Sequence, residues 1–458
     1  RVYQYNGSSW IQMGQDINGD SAGDLLMKVA LSSDGTILAT GAQGDDAGGT
    51  DAGQVRVYQY NGSSWVQIGQ DINGTAPYDY TSAVSLNSDG TILGVGETGN
   101  DAGGSNAGRI RVFEYDGSSW VQKGQSILGE AAEDQMGGVD LNSDGSILAT
   151  AALLNDGNGT KSGHIRVYQY DGSSWIQMGQ DIDGEQAEDR AGYSVTLNTD
   201  GTVVCIGAAH SSTAATKAGA VYVYQYDGSS WSKKGQTIYG EGTYNYAGVS
   251  AHMTPDGSII AVGAYRNSDN GTNSGQVRVF QYDGTTSLWV QVGQSILGEA
   301  AGDETGNSVS LSSDGSILAI GARYNDGAAS NAGHVRVFSI PKIQTIINSA
   351  ASYDVSYNDV LSEFTHIVGT INNNSMKLYV NNVLVDSTTV VSFSDNTTFT
   401  HNYLGSDLSN SSLFEGSIAY FKTWKDYELT TNEITNLYNN RLTITEQTSS
   451  ESATTEIS

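Results

Sequence analysis

The residues of this sequence that could do chemistry are above all carboxylates, which recur in two families of loops. The chain contains 50 Asp and Glu against 21 Lys and Arg, a formal net charge of −29. Oxygen ligands on several loops could hold a divalent cation or bind a basic ligand. Alternatively, they could cap turns by accepting hydrogen bonds from backbone N–H groups. The first family of loops carries Glu130, Glu133, Asp134, Glu185, Glu188, Asp189, Glu299, Asp303 and Glu304, and the second carries Asp101, Asp156 and Asp326.

A catalytic constellation is missing from the sequence, so we predict that the protein is not an enzyme. It has no Gly-x-Ser-x-Gly elbow, no His-Glu-x-x-His motif and no Walker loop. His164 and His334 fall at equivalent repeat positions, which indicates a structural role. No metal-ligand spacing occurs among the six histidines, His164, His210, His252, His334, His366 and His401.

One loop of the second family departs from the others. It reads His210-Ser211-Ser212-Thr213 and has none of the acids found in the other copies. A neutral loop among acidic ones is either a specificity patch or simple sequence drift, and the sequence leaves both alternatives open.

The loops belong to a repeat of about 55 residues. The segment RVYQYNGSSW at 1–10 recurs at 56–65, 111–120, 166–175, 222–231 and 278–289 with small changes. Each period contains four short apolar or alternating runs bounded by Gly, Asn, Asp and Ser, as expected for strands joined by hairpins. Four antiparallel strands per repeat predict the blade of a β-propeller. In such a blade the long loops gather on one face, so the acids would form a ring there.

The strand tally leaves the number of blades open. We count six copies of strand one, six of strand two, seven of strand three and six of strand four, or 25 strands. Seven blade positions would need two strands before Arg1, and the run 342–347 would then supply the last outer strand. Six blades would leave one strand spare. Because the chain starts in the middle of a repeat, we expect a fragment or a processed product with seven positions.

Residues that recur at the same strand positions of successive repeats are predicted to have structural roles. Five arginines recur at one strand position and should each pair with an acid. The tryptophans and Tyr/Phe pairs should pack between blades rather than present sugar-stacking platforms, and Cys205 should be a small core residue. The arginines are Arg56, Arg111, Arg166, Arg278 and Arg336, and the tryptophans are Trp10, Trp65, Trp120, Trp175, Trp231 and Trp289.

The order SVSLSSDGSILAIGA to GHVRVF at 308–338 resembles the FG-GAP repeat of integrin α-subunit-type propellers. The resemblance covers residues 1–341 and implies a cell-adhesion propeller, with calcium bound by Asp-x-Asn-x-Asp-Gly turns. One copy keeps the first half of that turn, with Asp140, Asn142 and Asp144, which makes these residues the candidate Ca²⁺ ligands. In the other copies the first ligand is replaced, so the turn is expected to be a plain hairpin.

After Pro341 the period stops and a different pattern begins. The run at 364–388 predicts a hairpin followed by a third strand, and 404–441 ends in a helix start at Thr431-Asn432-Glu433-Ile434. These segments resemble the second half of a laminin-G/concanavalin A-like lectin domain over about 365–441. We therefore divide the chain into a propeller at 1–341, an incomplete lectin-like β-sandwich (partial jelly roll) at 342–441, and a disordered Ser/Thr/Glu tail at 442–458.

The charge restricts the partners. A surface this anionic repels nucleic acid and anionic membranes, and no apolar run is long enough to cross a bilayer. We predict an extracellular or cell-surface recognition module that binds glycan or protein, with Ca²⁺ as a candidate cofactor. Two alternatives stay open: a structural repeat array, and the accessory region of a larger secreted enzyme.

Overall fold

The computed structural model describes residues 1–340 and five further strand segments at 343–348, 352–357, 367–372, 375–380 and 383–389. The described residues contain β-strands and no helix, so none of them forms a helix able to span a membrane. The chain divides between Ser339 and Ile340 into two units. The first unit is a six-bladed β-propeller of small antiparallel sheets, so the predicted propeller fold is confirmed and the expected seven blade positions are not.

The first unit begins with a two-stranded hairpin, which is followed by five blades of four antiparallel strands in sequence order, most with a fifth short strand pairing with the third. The hairpin is β1 (Tyr3–Tyr5) and β2 (Trp10–Gln12). Blade one is β3 (Leu26–Leu31), β4 (Ile37–Ala42), β5 (Gln54–Tyr60), β6 (Trp65–Gln67) and β7 (Ile72–Asn73). Blade two is β8 (Thr81–Leu86), β9 (Ile92–Glu97), β10 (Arg109–Tyr115), β11 (Trp120–Gln122) and β12 (Ile127–Leu128). Blade three is β13 (Met136–Leu141), β14 (Ile147–Ala152), β15 (His164–Tyr170), β16 (Trp175–Gln177) and β17 (Ile182–Asp183).

The remaining blades follow the same order, and the sixth has three strands. Blade four is β18 (Ala191–Leu197), β19 (Val203–Ala208), β20 (Ala220–Tyr226), β21 (Trp231–Lys233) and β22 (Ile238–Tyr239). Blade five is β23 (Ser250–Met253), β24 (Ile259–Ala264), β25 (Gln276–Asp283) and β26 (Leu288–Leu297), and blade six is β27 (Thr305–Leu311), β28 (Ile317–Ala322) and β29 (His334–Ser339).

Both short turns of the repeat are hairpins shaped by Asp and Gly. In the turn before β9, Gly90 has φ of 73°, and the carboxylate of Asp89 accepts a hydrogen bond from the N–H of Thr91 (2.9 Å). In the turn before β11, Gly117 has φ of 95°, and Asp116 accepts hydrogen bonds from two following N–H groups. A glycine adopts this left-handed conformation without steric cost, so the Asp-Gly pairs fix where each strand reverses.

The repeated tryptophans tie each blade to the one before it. Trp120 is 3% exposed, and its indole N–H donates to the carbonyl of Ile68 in the preceding blade (3.1 Å). The Gln70 side-chain amide bonds to both backbone groups of the same residue, since it accepts from the Trp120 N–H and donates to the Trp120 carbonyl. The prediction of inter-blade packing is thus confirmed at five positions, Trp65, Trp120, Trp175, Trp231 and Trp289. Trp10, in the N-terminal hairpin, is half exposed.

The buried core consists mainly of apolar residues of strands two and three, joined by residues of strand one and by the tryptophans of strand four, all packed between neighbouring sheets. Cys205 lies in this core as predicted, and burial raises the pKa of its thiol to about 12. A thiol that stays protonated at neutral pH is an inert packing group.

The outer faces of the first and last blades differ from the interior ones. The apolar residue at the second position of strand three is at most 1% exposed in blades one to five, whereas Val335 in β29 is 69% exposed. At the other end, Leu31 of β3 is 48% exposed, although its equivalent Leu141 is 6% exposed. Each of these residues lacks the neighbouring blade that covers its counterparts.

The 25 predicted propeller strands are all present, and they form six blades plus the N-terminal hairpin. Six blades are therefore observed and not seven, but the expectation that in a six-blade ring the N-terminal strand four completes the last blade is wrong, because β2 pairs with β1 and blade six keeps three strands. The expected last outer strand is wrong, because Ile343–Asn348 (β30) pairs with β31 (Ser352–Tyr357). Segment 343–348 consequently belongs to the second unit.

In the second unit the predicted hairpin and third strand are confirmed. They are β32 (Ile367–Asn372), β33 (Ser375–Val380) and β34 (Val383–Thr389), which form one antiparallel sheet. The predicted helix start at Thr431 and the tail at 442–458 lie outside the described residues.

Candidate functional site

The long loops of all blades lie on one face of the propeller, called here the long-loop face. In blade two, for example, the start of strand one pairs with the end of strand two, Thr81 with Glu97. The loop that enters a blade and the loop that leaves its second strand therefore lie side by side. This geometry places the predicted ligand-binding acids together on one face, as the meander required.

The aspartates that end the Gly-Glu-x-x-x-Asp motifs are buried turn caps. Asp134, Asp189 and Asp303 are all less than 5% exposed. Each carboxylate accepts the backbone N–H three residues earlier, at 3.0 Å. The Tyr222 hydroxyl also donates to Asp189 (2.9 Å), and burial raises the pKa of Asp189. These three acids hold the loops in shape, which is the capping role that the sequence left open.

The first glutamates of the motifs form ion pairs with cations of the same face. Glu130 pairs with Arg166, Glu299 lies 3.5 Å from Arg336, and Glu185 pairs with Lys233. The expectation that the five recurring arginines pair with acids is confirmed. Their partners are Asp20 and Asp71 for Arg56, Glu97 for Arg111, Glu130 and Asp181 for Arg166, Glu241 for Arg278, and Glu299 for Arg336.

The remaining predicted acids are exposed and shape their own loops. Asp101, Asp156 and Asp326 each accept the backbone N–H five residues later, at 2.7–2.8 Å. Glu133 accepts from the Asn106 side-chain amide (3.2 Å), and Glu188 is exposed. Glu304, by contrast, is 7% exposed and belongs to a different cluster, described below.

Within the described residues, one group of acids and histidine could in principle hold a metal ion. Its ligand atoms, from Glu130, His164 and Asp181, lie within 4.8 Å of one another. The guanidinium of Arg166 bonds to both carboxylates and so already occupies the negative end of the group. Burial also lowers the pKa of His164 and keeps its imidazole neutral. We therefore interpret the group as an ion-pair network rather than a metal site.

The predicted calcium ligands have protein partners. The Asp140 carboxylate accepts from the Ser85 hydroxyl (3.0 Å) and from the Leu197 N–H (2.7 Å), so it links the first strands of three blades. Asn142 accepts the N–H of Ile147 and Asp144 that of Ser146, both at 2.9 Å. Burial raises the pKa of Asp140 to about 6. These contacts indicate an inter-blade tie and a hairpin, and calcium at this turn stays a prediction.

A continuous group of rings crosses blades four and five on the long-loop face, and the Arg323 guanidinium links it to blade six. Tyr193 and His210 stack with centroids 5.5 Å apart, and His210 meets the edge of Tyr246 at 5.3 Å. Tyr246 then contacts Tyr265 at 5.6 Å. These rings, together with Tyr244, Arg190, Arg266, Glu304, Arg323 and Tyr324, are called here the aromatic–arginine cluster.

The arginines of this cluster lie over its rings. The Arg266 guanidinium is 5.3 Å from the centre of the Tyr265 ring and 5.6 Å from that of Tyr246. Arg323 lies 4.7 Å above Tyr324 and forms a 2.6 Å ion pair with Glu304. Cation–π contacts at these distances hold a guanidinium close to the negative face of a ring.

The electrostatics of the cluster are set by burial and by its cations. Burial, helped by the nearby charges of Arg190 and Lys217, lowers the pKa of His210 to about 4. The imidazole is therefore neutral at physiological pH and acts as a ring. Among the described side chains, the buried Nε atoms of Arg190 and Arg266 have no hydrogen-bond partner. The site thus offers flat apolar surfaces beside unsatisfied N–H donors.

This cluster was not predicted from the sequence, apart from the loop at His210. The sequence signal that could have revealed it is the departure of these loops from the repeat pattern. The positions of Arg190, Tyr246 and Glu304 hold Leu25, Tyr80 and Gln135 in the first three blades. The residues after strand two change as well, from Gln43-Gly44, Thr98-Gly99 and Leu153-Leu154 to Ala209-His210, Tyr265-Arg266 and Arg323-Tyr324. These unlike residues become one group only when three blades are packed side by side.

Comparison with known proteins locates a lectin-type domain in the C-terminal part of the chain. Residues 266–435 match the concanavalin A-like lectin/glucanases superfamily, a laminin-G-type family, so the match begins within blade five and extends beyond the propeller. This matched region therefore carries a concanavalin A-like domain. No curated protein matches the sequence.

Two solved structures resemble the propeller. One is a protein from Bacteroides uniformis described as a candidate 6-phosphogluconolactonase, with a TM-score of 0.52 and 11% identity, covering 78% of this chain and 92% of that chain. The other is the hydrazine synthase of Kuenenia stuttgartiensis, with a TM-score of 0.46 and 14% identity, covering 69% of this chain and 78% of that chain. At such identities the first likeness shows the fold alone. The resemblance to FG-GAP blades is not confirmed by these comparisons and stays an interpretation of the sequence.

Proposed function

We propose that this protein is a non-catalytic recognition module, outside the cell or on its surface, that binds glycan through the aromatic–arginine cluster. The observation that carries the proposal is the run of rings from Tyr193 to Tyr265, flanked by Arg266 and Arg323 and spanning three blades. Residues that differ between the repeats and gather in one place on a regular scaffold are typical of a binding site rather than of the repeat itself.

The chemistry of the cluster fits a sugar. The C–H groups of a pyranose ring pack on the negative face of an aromatic ring, and several tilted rings accommodate more than one sugar unit. Hydroxyl groups can bond to guanidinium N–H donors and to a carboxylate such as Glu304. Nucleic acid would also stack on such rings, but its many phosphates would extend beyond the cluster onto the surface of a chain with net charge −29.

The concanavalin A-like domain supports recognition of saccharides, since that family's name includes both lectins and glucanases. Export to the cell surface is part of the proposal because extracellular glycans are the partners that such a site would meet. A protein ligand is the second candidate, favoured by the exposed Tyr244 and Tyr324, which are side chains typical of interface hot spots.

A glycan and matrix-protein array tests this proposal with a matched pair of variants. Tyr244 and Tyr246 of blade five occupy the same motif positions as Tyr78 and Tyr80 of blade two, and all four residues have positive φ. The ring separations are also alike, at 6.3 and 6.2 Å. The Tyr244→Ala/Tyr246→Ala protein should lose most of its array signal, whereas the Tyr78→Ala/Tyr80→Ala protein should keep it. Equal signals from both variants would refute the assignment of the site, and signals confined to protein spots would favour the second candidate.

A further inference from the structure

We infer that the saccharide bound by the aromatic–arginine cluster is anionic, with a carboxylate or sulfate group bonded to the guanidinium N–H donors of Arg190 and Arg266. This inference rests on the proposed function and adds the chemical class of the ligand.

The distribution of cations is the first support. In the propeller, five arginines form the recurring set that pairs with acids; Arg1 occupies the same repeat position and pairs with Asp16, and Arg109 pairs with Glu97. The three propeller arginines that remain, Arg190, Arg266 and Arg323, all lie in the cluster on blades four to six. A chain with 50 acids and 21 cations therefore concentrates its unusual arginines where the rings are. A patch of positive charge on an acidic surface attracts an anion to one place and repels it from the rest.

The second support is the unused hydrogen-bonding capacity. The Nε atoms of Arg190 and Arg266 are buried and lack a partner among the described residues. Glu304 does not satisfy Arg266, since the two atoms are 3.9 Å apart, and its other oxygen is bonded to Arg323. A buried N–H group without an acceptor is costly, and an anionic oxygen is its best partner. The buried Nε atoms themselves are out of reach of a ligand, but the Arg266 side chain is 42% exposed, so an anionic oxygen can bond to its terminal N–H groups.

The rings determine how an anion would be held. The neutral His210 imidazole stacks on Tyr193, makes an edge contact with Tyr246, and is near enough to Arg190 for that charge to lower its pKa. A free inorganic anion would gain nothing from these rings. A sugar that carries an acidic substituent could pack its C–H face on them while its anionic group reaches the arginines. The combination therefore favours an anionic saccharide over a simple anion.

The experiment uses the full chain and pairs of oligosaccharides that differ only in charge. Trigalacturonate is compared with its methyl ester, and a sulfated galactan oligosaccharide with its desulfated form, by isothermal titration calorimetry at low and physiological salt. At least one anionic member should bind about tenfold or more tightly than its neutral counterpart. Carboxylate and sulfate sources are distinguished by which pair shows the difference.

Variants then test whether the cluster causes the difference in affinity between charged and neutral sugars. Arg266→Gln and Arg190→Gln should each remove about tenfold of affinity for the anionic sugar and leave the neutral one unchanged. Lys28→Gln, which removes an exposed cation from β3 of blade one, should change neither. Equal binding of charged and neutral sugars at the cluster would overturn the inference and leave the proposed function intact. An absence of all saccharide binding would overturn both.

Discussion

The imidazole of His210 lies nearly parallel to the phenol ring of Tyr193, with an interplanar angle of 14° and 3.3 Å between the Tyr193 hydroxyl and His210 Nε2. Tyr193 lies in β18 of blade four, His210 lies in the turn after β19, and His210 makes an edge contact with Tyr246 of blade five at an interplanar angle of 61°. The group of rings thereby continues across a blade boundary. Regular repeats rarely produce such a group, because it requires a different residue from each blade.

His210 should make stability depend on pH in a defined window. Its pKa is about 4 in the folded protein, below the value of about 6.5 for a histidine in an unfolded chain. Between these values the unfolded state binds a proton that the folded state does not, so the free energy of unfolding falls as pH falls. Above pH 6.5 the contribution is fully present. We expect His210→Gln to show a smaller decline in urea midpoint between pH 7 and pH 4.5 than the natural protein.

Part of the decline in stability at low pH has other causes, which the natural protein and His210→Gln share. Burial also lowers the pKa of His164 and His252, and both proteins share the decline that these residues cause. An identical decline in the two proteins would show that His210 is protonated as readily in the fold as in the unfolded chain.

Asp140 should act in the opposite direction. Burial raises the pKa of this acid to about 6, above the value of about 3.9 in an unfolded chain. The folded state then holds the proton more tightly, so this contribution is present at low pH and is lost as pH rises towards 6. The loss is on the order of 3 kcal/mol. Denaturant titrations of Asp140→Asn should lack this decrease between pH 4 and pH 7, and an unchanged slope would contradict the assignment.

Calcium should have no effect on the propeller if Asp140 is an inter-blade tie. The oxygens of Asp140, Asn142 and Asp144 accept hydrogen bonds from protein donors, which leaves no cage of free ligands. We expect the same melting temperature in EDTA and in millimolar CaCl₂. A rise with calcium that disappears in Asp144→Asn would restore the calcium-binding interpretation of this turn.

The exposed outer faces can be tested by two equivalent valines. Val277 is 0% exposed and Val335 is 69% exposed, although both occupy the second position of strand three. Val277→Ala should destabilise the protein by about 2 kcal/mol through lost packing. Val335→Ala should cost less than about 0.5 kcal/mol, as surface changes usually do. Similar losses in chemical denaturation would mean that the outer face of β29 is covered in solution.

The fold could be read from the sequence because its rules are local and are repeated. Asp-Gly pairs fix the hairpins, and the 55-residue spacing of Trp65 and Trp120 predicts blades that pack identically. The acids were also placed correctly on one face. Whether an acid binds a ligand or caps a turn was undecided, because the distinction depends on burial and on partners such as the Tyr222 hydroxyl for Asp189.

The aromatic–arginine cluster was beyond the same reasoning for a physical reason. Tyr193, Tyr246 and Arg323 are separated by more than fifty residues at each step. Their proximity follows from lateral packing of three blades, which no local pattern records. A repeat is recognised by the residues that its copies share, whereas this site consists of residues that differ between the copies.

The central claim, that the aromatic–arginine cluster is the binding site, is tested most directly by a crystal structure of the full chain with the best saccharide from the array. We predict a sugar ring in van der Waals contact with Tyr246 or Tyr265 and an anionic oxygen within hydrogen-bond distance of Arg190 or Arg266. A saccharide bound only elsewhere, on the concanavalin A-like domain or on the short-turn face, would contradict the claim.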